Sequence, residues 1–180
     1  MELCDLYSKD RVRLGRTMVR GDAQPQGTFR IIVHSCLFNS KGLILVQKRQ
    51  GTKESWSNLW DMTASGSAIA GETSQEAMGR ELFEELGIRH DFRHDPPLLT
   101  VTENGCFDDI YLFKADCDLD RLVLQAEEVQ EVSWADADGI KRMVVDGSFV
   151  PYPASFIDLL FHYARNGTNP EGVIFIPEAS

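Results

Sequence analysis

The chain has 180 residues, 43% of them hydrophobic and 26% charged, as in an ordinary globular domain with a sizeable core. Its formal net charge of −10 argues against binding a nucleic-acid polymer or an anionic membrane, because both require a basic surface. The N-terminus lacks the apolar core of a signal peptide, and no apolar run is long enough to span a membrane. We therefore expect a single domain over residues 1–180.

Cysteine usage indicates the redox compartment. The four cysteines are widely spaced and form neither the C-x-x-C pair of a zinc site nor the framework of a disulfide-rich scaffold. Reduced thiols in a cytoplasmic protein are the simpler interpretation. The sequence leaves the oligomeric state open, and a homodimer is one arrangement that it allows.

The first residues predict an N-terminal β-hairpin at 2–20, whose two short strands meet at Lys9-Asp10. Arg11 and Arg13 project from its second strand. Such charges usually solvate an exposed strand edge, and this is the role that we expect for them. A contact with a substrate phosphate is the alternative.

The next segment predicts a second hairpin and a loop. Residues 29–39 are rich in β-branched and aromatic side chains and predict a strand, which turns at 39–42 into another strand at 43–48. Residues 50–58 are polar and irregular, so we expect them at the surface. A short strand at 61–65 then leads into the most informative stretch of the chain.

That stretch, GSAIAGETSQEAMGRELFEELGI at 66–88, predicts a loop, a helix and a tight stop. Thr73 and Glu76 have the spacing of a capping box, and Gly87 suits the left-handed residue just after a helix. The predicted helix covers 74–86. An apolar stripe that recurs every four residues along it should face the core: Met78, Leu82 and Leu86.

Three carboxylates share another face of this helix, because Glu81, Glu84 and Glu85 lie at i, i+3 and i+4. They repel one another by a few tenths of a kcal/mol per pair and oppose the helix dipole. An unfavourable arrangement without local compensation indicates a functional site, and a hard cation such as Mg²⁺, which prefers oxygen ligands, would compensate it. The competing interpretation is a solvated acidic face, which the fixed preceding loop disfavours.

The remainder of the chain alternates strand-like and helical patterns. His90 and His94 lie in a loop-like segment and are expected to be surface residues rather than metal ligands. The predicted elements are antiparallel strands at 98–103 and 108–115, a half-buried strand at 127–135, helices at 136–145 and 153–166, and either a short strand or an irregular tail at 172–177. Together with the acidic helix, these elements suggest an α/β/α sandwich.

The stretch 66–88 matches the Nudix box at every specified position, and the chain resembles a Nudix hydrolase. The matching residues are Gly66, Glu72, Arg80, Glu81, Leu82, Glu84, Glu85, Gly87 and Ile88. The resemblance implies an α/β fold, a Nudix-type α/β/α sandwich with a mixed sheet and the box as a loop–helix–loop. It also implies hydrolysis of a small-molecule diphosphate linked to another group X, usually a nucleoside.

The resemblance implies a role for each residue of the box. Glu81, Glu84 and Glu85 would hold Mg²⁺ or Mn²⁺, and the Gly66 carbonyl would add an oxygen. Arg80 and Glu72 would orient these carboxylates, so that the catalytic set comprises Glu72, Arg80, Glu84 and Glu85. The general base is not fixed; later acids that could reach the site are Glu103, Glu127, Glu128 and Glu131.

Residues 2–145 resemble the isopentenyl-diphosphate-isomerase-like branch of the family, which raises an isomerase as a rival. The catalytic cysteine and the ligands of those isomerases fall at Ser65, Ser67, Ala23, Arg30, Asp109 and Phe107 of this chain. A serine hydroxyl cannot replace a thiol without an activating group, and most of the metal ligands are missing, so we favour a hydrolase. A non-catalytic diphosphate-binding module is the third alternative, and the intact glutamates argue against it.

Overall fold

The computed structural model describes residues 2–167, so the strand or tail expected at 172–177 lies outside the described residues. Short 3₁₀ turns cover Phe92–His94 and Leu119–Arg121. The strands are β1 (Leu3–Tyr7), β2 (Arg13–Val19), β3 (Arg30–Phe38), β4 (Ile44–Arg49), β5 (Trp60–Asp61), β6 (Ala64–Ser67), β7 (Leu99–Glu103), β8 (Cys106–Lys114) and β9 (Val129–Ala135); the helices are α1 (Ser74–Leu86), α2 (Ala137–Asp146) and α3 (Ala154–Asn166).

Seven of these strands form one mixed sheet. Its path is β5-β4-β3-β8-β7, with β6 paired to β3 and β9 paired to β4. β3 and β8 are parallel and stay in register from Arg30 opposite Cys106 to Phe38 opposite Lys114, whereas the other pairings are antiparallel. The predicted N-terminal hairpin is a separate two-stranded sheet, β1-β2.

Both faces of the sheet are covered, because alternate residues along the central strands enter different cores. Ile31, Val33 and Leu37 of β3 pack in the core under α1, whereas Cys36 and Phe38 pack in the core under α2 and α3. The helices contribute Met78, Leu82 and Leu86 to the first core and Ile140, Ile157 and Leu160 to the second. This layering confirms the predicted α/β/α sandwich.

Strands β3 and β4 separate soon after their turn, which the predicted hairpin did not anticipate. Phe38 and Ile44 are in register beside the turn, but β3 then pairs with β6, and β4 pairs with β5 and β9. The Thr63 hydroxyl bridges the separated strands by accepting from the Leu37 amide at 2.9 Å and donating to the Leu45 carbonyl at 2.7 Å. The strand expected at 61–65 is therefore two strands, β5 and β6. Strand β6 contains Gly66, which pairs with Val33 of β3 where β3 and β4 have separated.

Helix α1 begins and ends where its caps predict. Thr73 accepts from the Glu76 amide at 3.2 Å, and the Glu76 carboxylate accepts from the Thr73 amide at 2.8 Å. Gly87 follows the helix with a φ of 71°, which a residue without a Cβ adopts at little cost. Within residues 2–167, no helix is long and apolar enough to cross a membrane.

Candidate active site

Arg80 is the centre of the charge network on α1. Its guanidinium makes a bidentate pair with Glu72, at 2.7 and 2.9 Å, and donates to the Glu81 and Glu84 carboxylates, at 3.0 Å each. It also donates to the Ser67 carbonyl at 3.1 Å, which ties α1 to the end of β6. The hydrogen bond with Glu72 raises the pKa of Arg80 still further above its ordinary value, so the guanidinium remains charged.

Gly66 and Glu81 are in such close contact that position 66 requires glycine. A Cβ on Gly66 would lie 2.0 Å from the carboxyl carbon and from one oxygen of Glu81. Glu81 is buried, and burial raises the pKa of its carboxyl above the usual value although Arg80 opposes the shift. The absence of a side chain at Gly66 is thus what allows this carboxylate to lie against β6.

Glu85 is the most deeply buried acid of the helix, with 3% of its surface exposed. Its carboxylate accepts from the Gln47 side-chain amide at 2.8 Å and from the Ser65 backbone amide at 3.2 Å. Burial, and then the neighbouring charge of Glu81, raise the pKa of Glu85 to about 8. Gln47, which the sequence did not single out, also has a buried Oε1 with no hydrogen-bond partner among the described residues.

Glu84 differs from the other two glutamates. Its side chain is 46% exposed and pairs with Arg80, which does not contact Glu85. Within the part of the chain that the structure describes, no three His, Cys, Asp or Glu side chains stand in a ready-made metal-binding arrangement. The structure therefore brings Glu81 and Glu85 together beside Gly66, and it leaves Glu84 engaged by Arg80.

A cleft of 1010 Å³ opens over this part of the sheet, and Ser65, Gly66 and Ser67 of β6 contribute to its lining. Four cations also line it: Arg20, Arg30, Arg49 and Lys53. Burial raises the pKa of both carboxyls, and the positive charges of Lys53, for Glu85, and of Arg20, for Glu81, oppose that rise. The cleft thus has cationic groups on its walls, and its Ser65–Gly66 edge adjoins the buried Glu81 and Glu85 carboxylates.

The polar loop at 50–58 forms one wall of the cleft. Thr52, Lys53, Glu54, Ser55 and Trp56 line it, and Lys53 forms an ion pair with Glu128. Of the later acids suggested by the sequence, Glu103, Glu127 and Glu128 line the cleft, whereas Glu131 pairs with Lys48 at 3.4 Å outside the lining.

Asp109, which falls at one acid position of the isomerases, lies away from the cleft. Its carboxylate is fully buried and is held by Arg11, Ser74 and Thr100, with Arg11 Nη1 at 2.8 Å and the Thr100 hydroxyl at 2.6 Å. Burial raises its pKa, but these hydrogen bonds outweigh burial and hold the pKa below its usual value. The expectation that Arg11 solvates a strand edge is therefore wrong, because Arg11 joins the N-terminal hairpin to the core.

Comparisons with known proteins agree with this geometry. A family model described as the NUDIX domain matches residues 28–157. A protein of Listeria monocytogenes named an uncharacterized Nudix hydrolase is 39% identical over 93% of this chain and 98% of its own length. An isopentenyl-diphosphate Delta-isomerase of Leifsonia xyli is 27% identical over 93% of this chain and 94% of its own length. A crystal structure of a Deinococcus radiodurans protein superposes with a TM-score of 0.71 at 22% identity, over 93% of this chain and 100% of that one.

The chain belongs to the Nudix family, since the family model covers more than half of it and the Listeria relative matches over nearly its full length. Its enzyme class is that of a Nudix hydrolase, which acts on small molecules that contain a diphosphate.

Proposed function

We propose that the protein is a Mg²⁺- or Mn²⁺-dependent hydrolase that cleaves a diphosphate linkage in a nucleoside-diphosphate-linked or related small molecule, by water attack at phosphorus. One observation carries the proposal: the buried Glu81 and Glu85 carboxylates lie beside Gly66, at a cleft that also presents Arg20, Arg30 and Lys53. Glu81 shares the single charge of Arg80 with Glu72 and Glu84, and the donors to Glu85 are uncharged amides. Buried acids with too little positive charge around them favour a bound cation, and the cationic walls suit the phosphates.

The donor atoms fit a hard divalent cation. Glu81 and Glu85 offer carboxylate oxygens, the Gly66 carbonyl offers another, and Glu84 would add its own on leaving Arg80. The unpartnered Oε1 of Gln47 lies on the residue that already supports Glu85. A divalent cation bound there supplies positive charge to the phosphate oxygens and to the attacking water.

The protein side chains have distinct tasks in this proposal. Arg80 and Glu72 position the glutamates, because the guanidinium is held by Glu72 in a bidentate pair while it contacts Glu81 and Glu84. Arg20, Arg30 and Lys53 bind the diphosphate and neutralise the charge that develops on it. Glu103, Glu127 and Glu128 are the candidates for accepting the proton of the attacking water, since they line the cleft.

An isomerase is less well supported than a hydrolase. Ser65 and Ser67 occupy the positions that a thiol and an imidazole would need, and Ser67 accepts from Arg30 at 3.2 Å. Asp109, the acid that the isomerase comparison would use, is held under α1 by Arg11 and Ser74. No group among these can protonate an alkene from the cleft.

The test is phosphate release, with phosphatase coupling, from a panel of nucleoside diphosphates, nucleotide sugars, CoA esters and isopentenyl diphosphate. We expect Mg²⁺-dependent turnover by the wild type that is lost in Glu85→Gln and retained in Glu131→Gln, a matched change outside the cleft. Conversion of isopentenyl to dimethylallyl diphosphate would favour the isomerase. Tight binding of a panel member without turnover would favour the non-catalytic module.

The cellular location and the assembly belong to the same proposal. A cytoplasmic protein is supported by the four unpaired cysteines in the described residues, of which Cys4, Cys36 and Cys106 are buried. The net charge of −10 supports a small-molecule partner rather than a nucleic-acid polymer or a membrane. A homodimer remains a prediction, which sedimentation of the purified protein would test.

A further inference from the structure

A second cavity opens from the side of the cleft. It has a volume of 210 Å³ and shares His34, Glu103, Asp108, Tyr152 and Pro153 with the cleft lining. Its apolar wall is made by Cys36, Met62, Val101, Ile110, Tyr152 and Phe156. Pockets that enclose a drug-sized ligand measure about 300–1,000 Å³, so this cavity suits one ring of a substrate rather than a whole nucleotide.

Two residues that line this apolar cavity each carry an unpaired polar atom. His34 Nδ1 and Asp108 Oδ1 are buried without a hydrogen-bond partner among the described residues. They belong to adjacent parallel strands, where Asp108 is opposite Ile32 and His34 is opposite Ile110. Buried polar groups are normally satisfied, so two under-satisfied polar side chains on one cavity wall favour a ligand that carries matching polar atoms.

The chemistry of these atoms selects the ligand. An aspartate carboxylate accepts hydrogen bonds, and burial raises the pKa of Asp108 while the charge of His34 opposes the shift. A hydrocarbon group would fill the apolar wall but leave both polar atoms unpaired. A flat heterocycle that bears an exocyclic amino group meets both requirements, because its faces are apolar and its edge donates.

The rings that flank the cavity are held in place before any ligand binds. The Tyr152 hydroxyl donates to Asp61 at 2.8 Å, and Arg49 pairs with the same carboxylate at 3.2 Å. The Tyr152 ring lies beside the Phe156 ring, with centroids 5.3 Å apart and planes tilted by 30°. Fixed aromatic side chains of this kind are what nucleobases stack upon.

We propose that this cavity binds an amino-bearing nucleobase of the substrate and that Asp108 determines specificity by accepting from the amino group. His34 supplies the second polar contact, and the diphosphate extends into the main cleft beneath Arg20, Arg30 and Lys53. The inference rests on the proposed diphosphate hydrolysis and names the group X that the enzyme selects.

The experiment compares substrates that differ by one amino group. We would measure kcat/KM with Mg²⁺ and equilibrium binding with Ca²⁺ in place of Mg²⁺. The ligands are two pairs, CDP with UDP and ADP with IDP, together with geranyl diphosphate. The wild type should prefer the amino member of at least one pair by 10-fold or more, since a site built for an N–H donor rejects an analogue that lacks it. Geranyl diphosphate should be the weaker ligand.

Asp108→Asn should reduce this preference to 3-fold or less, or reverse it, because an asparagine amide can donate to a ring carbonyl. The change should appear mainly in KM. Asp138→Asn, a matched change at an exposed position of α2, should keep the wild-type ratio. Val101→Phe, which leaves Asp108 intact and fills the cavity, should weaken both members of a pair and serves if the asparagine variant is unstable.

Several results would overturn the inference: no amino preference in the wild type, a preference unchanged by Asp108→Asn, binding unaffected by Val101→Phe, or geranyl diphosphate as the better ligand. Amino-selective binding without hydrolysis would contradict the proposed function while supporting this cavity. Hydrolysis without selectivity for the amino group would support the proposed function and contradict the inference about this cavity.

Discussion

Two clusters of buried charge lie at opposite ends of helix α1, and they differ in how completely their carboxylates are satisfied. At its first turn, Asp109 is held by Arg11, Ser74 and Thr100, and its pKa is held below the usual value. In its last two turns, Glu81 and Glu85 are buried with fewer donors, and their pKa values are raised. The first cluster is satisfied by the protein itself, whereas the second lacks donors, and we propose that a divalent cation completes it.

The largest effect should come from filling the space at Gly66. Gly66→Ala would place a methyl group against the Glu81 carboxylate, so we expect kcat/KM to fall about 10²–10³-fold, or roughly 3–4 kcal/mol in transition-state stabilisation. Steady-state kinetics at saturating Mg²⁺ would measure it. Activity within a factor of 3 of the wild type would show that this carboxylate position is not needed.

Asp109→Asn should lower the stability of the fold without a direct effect on catalysis, because Asp109 lies away from the cleft. The substitution removes the charge of a buried acid whose partner Arg11 is partly exposed, so we expect a loss of about 1.5–3 kcal/mol in the free energy of unfolding, measured by denaturant titration. Asp10→Asn, at an exposed neighbour of Arg11, should change stability by less than about 0.5 kcal/mol. Equal effects of the two substitutions would contradict the contrast between a buried and an exposed acid.

The two clusters should respond to pH with opposite signs. Asp109 has a lowered pKa when folded, so its contribution is present above the unfolded pKa and is lost as pH falls through the folded pKa. Glu85 has a raised pKa of about 8, so the folded state binds more protons and metal-free stability falls by roughly 3–4 kcal/mol between pH 5 and pH 8.

Thermal unfolding in EDTA at several pH values would measure the fall in metal-free stability between pH 5 and pH 8. Added Mg²⁺ should stabilise the protein more at pH 8 than at pH 6. The Glu85→Gln variant is the control and should lack most of the decline. A wild type whose metal-free stability rises from pH 5 to pH 8 would be inconsistent with an under-satisfied Glu85.

The smallest effect should come from Gly79, a glycine within helix α1 itself. A Cβ on Gly79 would meet the His90 carbonyl at 3.6 Å, an ordinary contact, so Gly79→Ala should stabilise the protein by about 0.5–1 kcal/mol and leave kcat/KM unchanged. A melting curve and one kinetic assay would suffice. Destabilisation would mean that packing beneath α1 is tighter than these contacts indicate.

The sequence predicted α1 fully because its caps and apolar stripe are local signals, carried by Thr73, Glu76, Gly87 and Met78. It did not predict the separation of β3 and β4, which depends on β6 returning to pair with β3. Pairings between distant segments leave no local pattern in the sequence. The ion pair between Arg11 and Asp109 was not predicted for the same reason, because the two residues are far apart in the chain.

The candidate site was predictable only in part. The spacing of Glu81, Glu84 and Glu85 places them on one helical face, and Arg80 was expected to orient them, but spacing cannot show that Gln47 supports Glu85. Gln47, His34 and Asp108 lie on strands whose neighbours are set by the sheet, so their environment appears only in the folded structure. Unpaired buried atoms were the signal that identified them.

Calorimetric titration of Mg²⁺ into the metal-free protein and into Glu85→Gln tests the central claim most directly. We predict saturable binding by the wild type at pH 8 and at least 10-fold weaker binding by the variant. The number of protons released on Mg²⁺ binding should increase as the pH is lowered towards 7. Absence of binding by the wild type, or equal affinity in the two proteins, would contradict a divalent-cation site at Glu81 and Glu85.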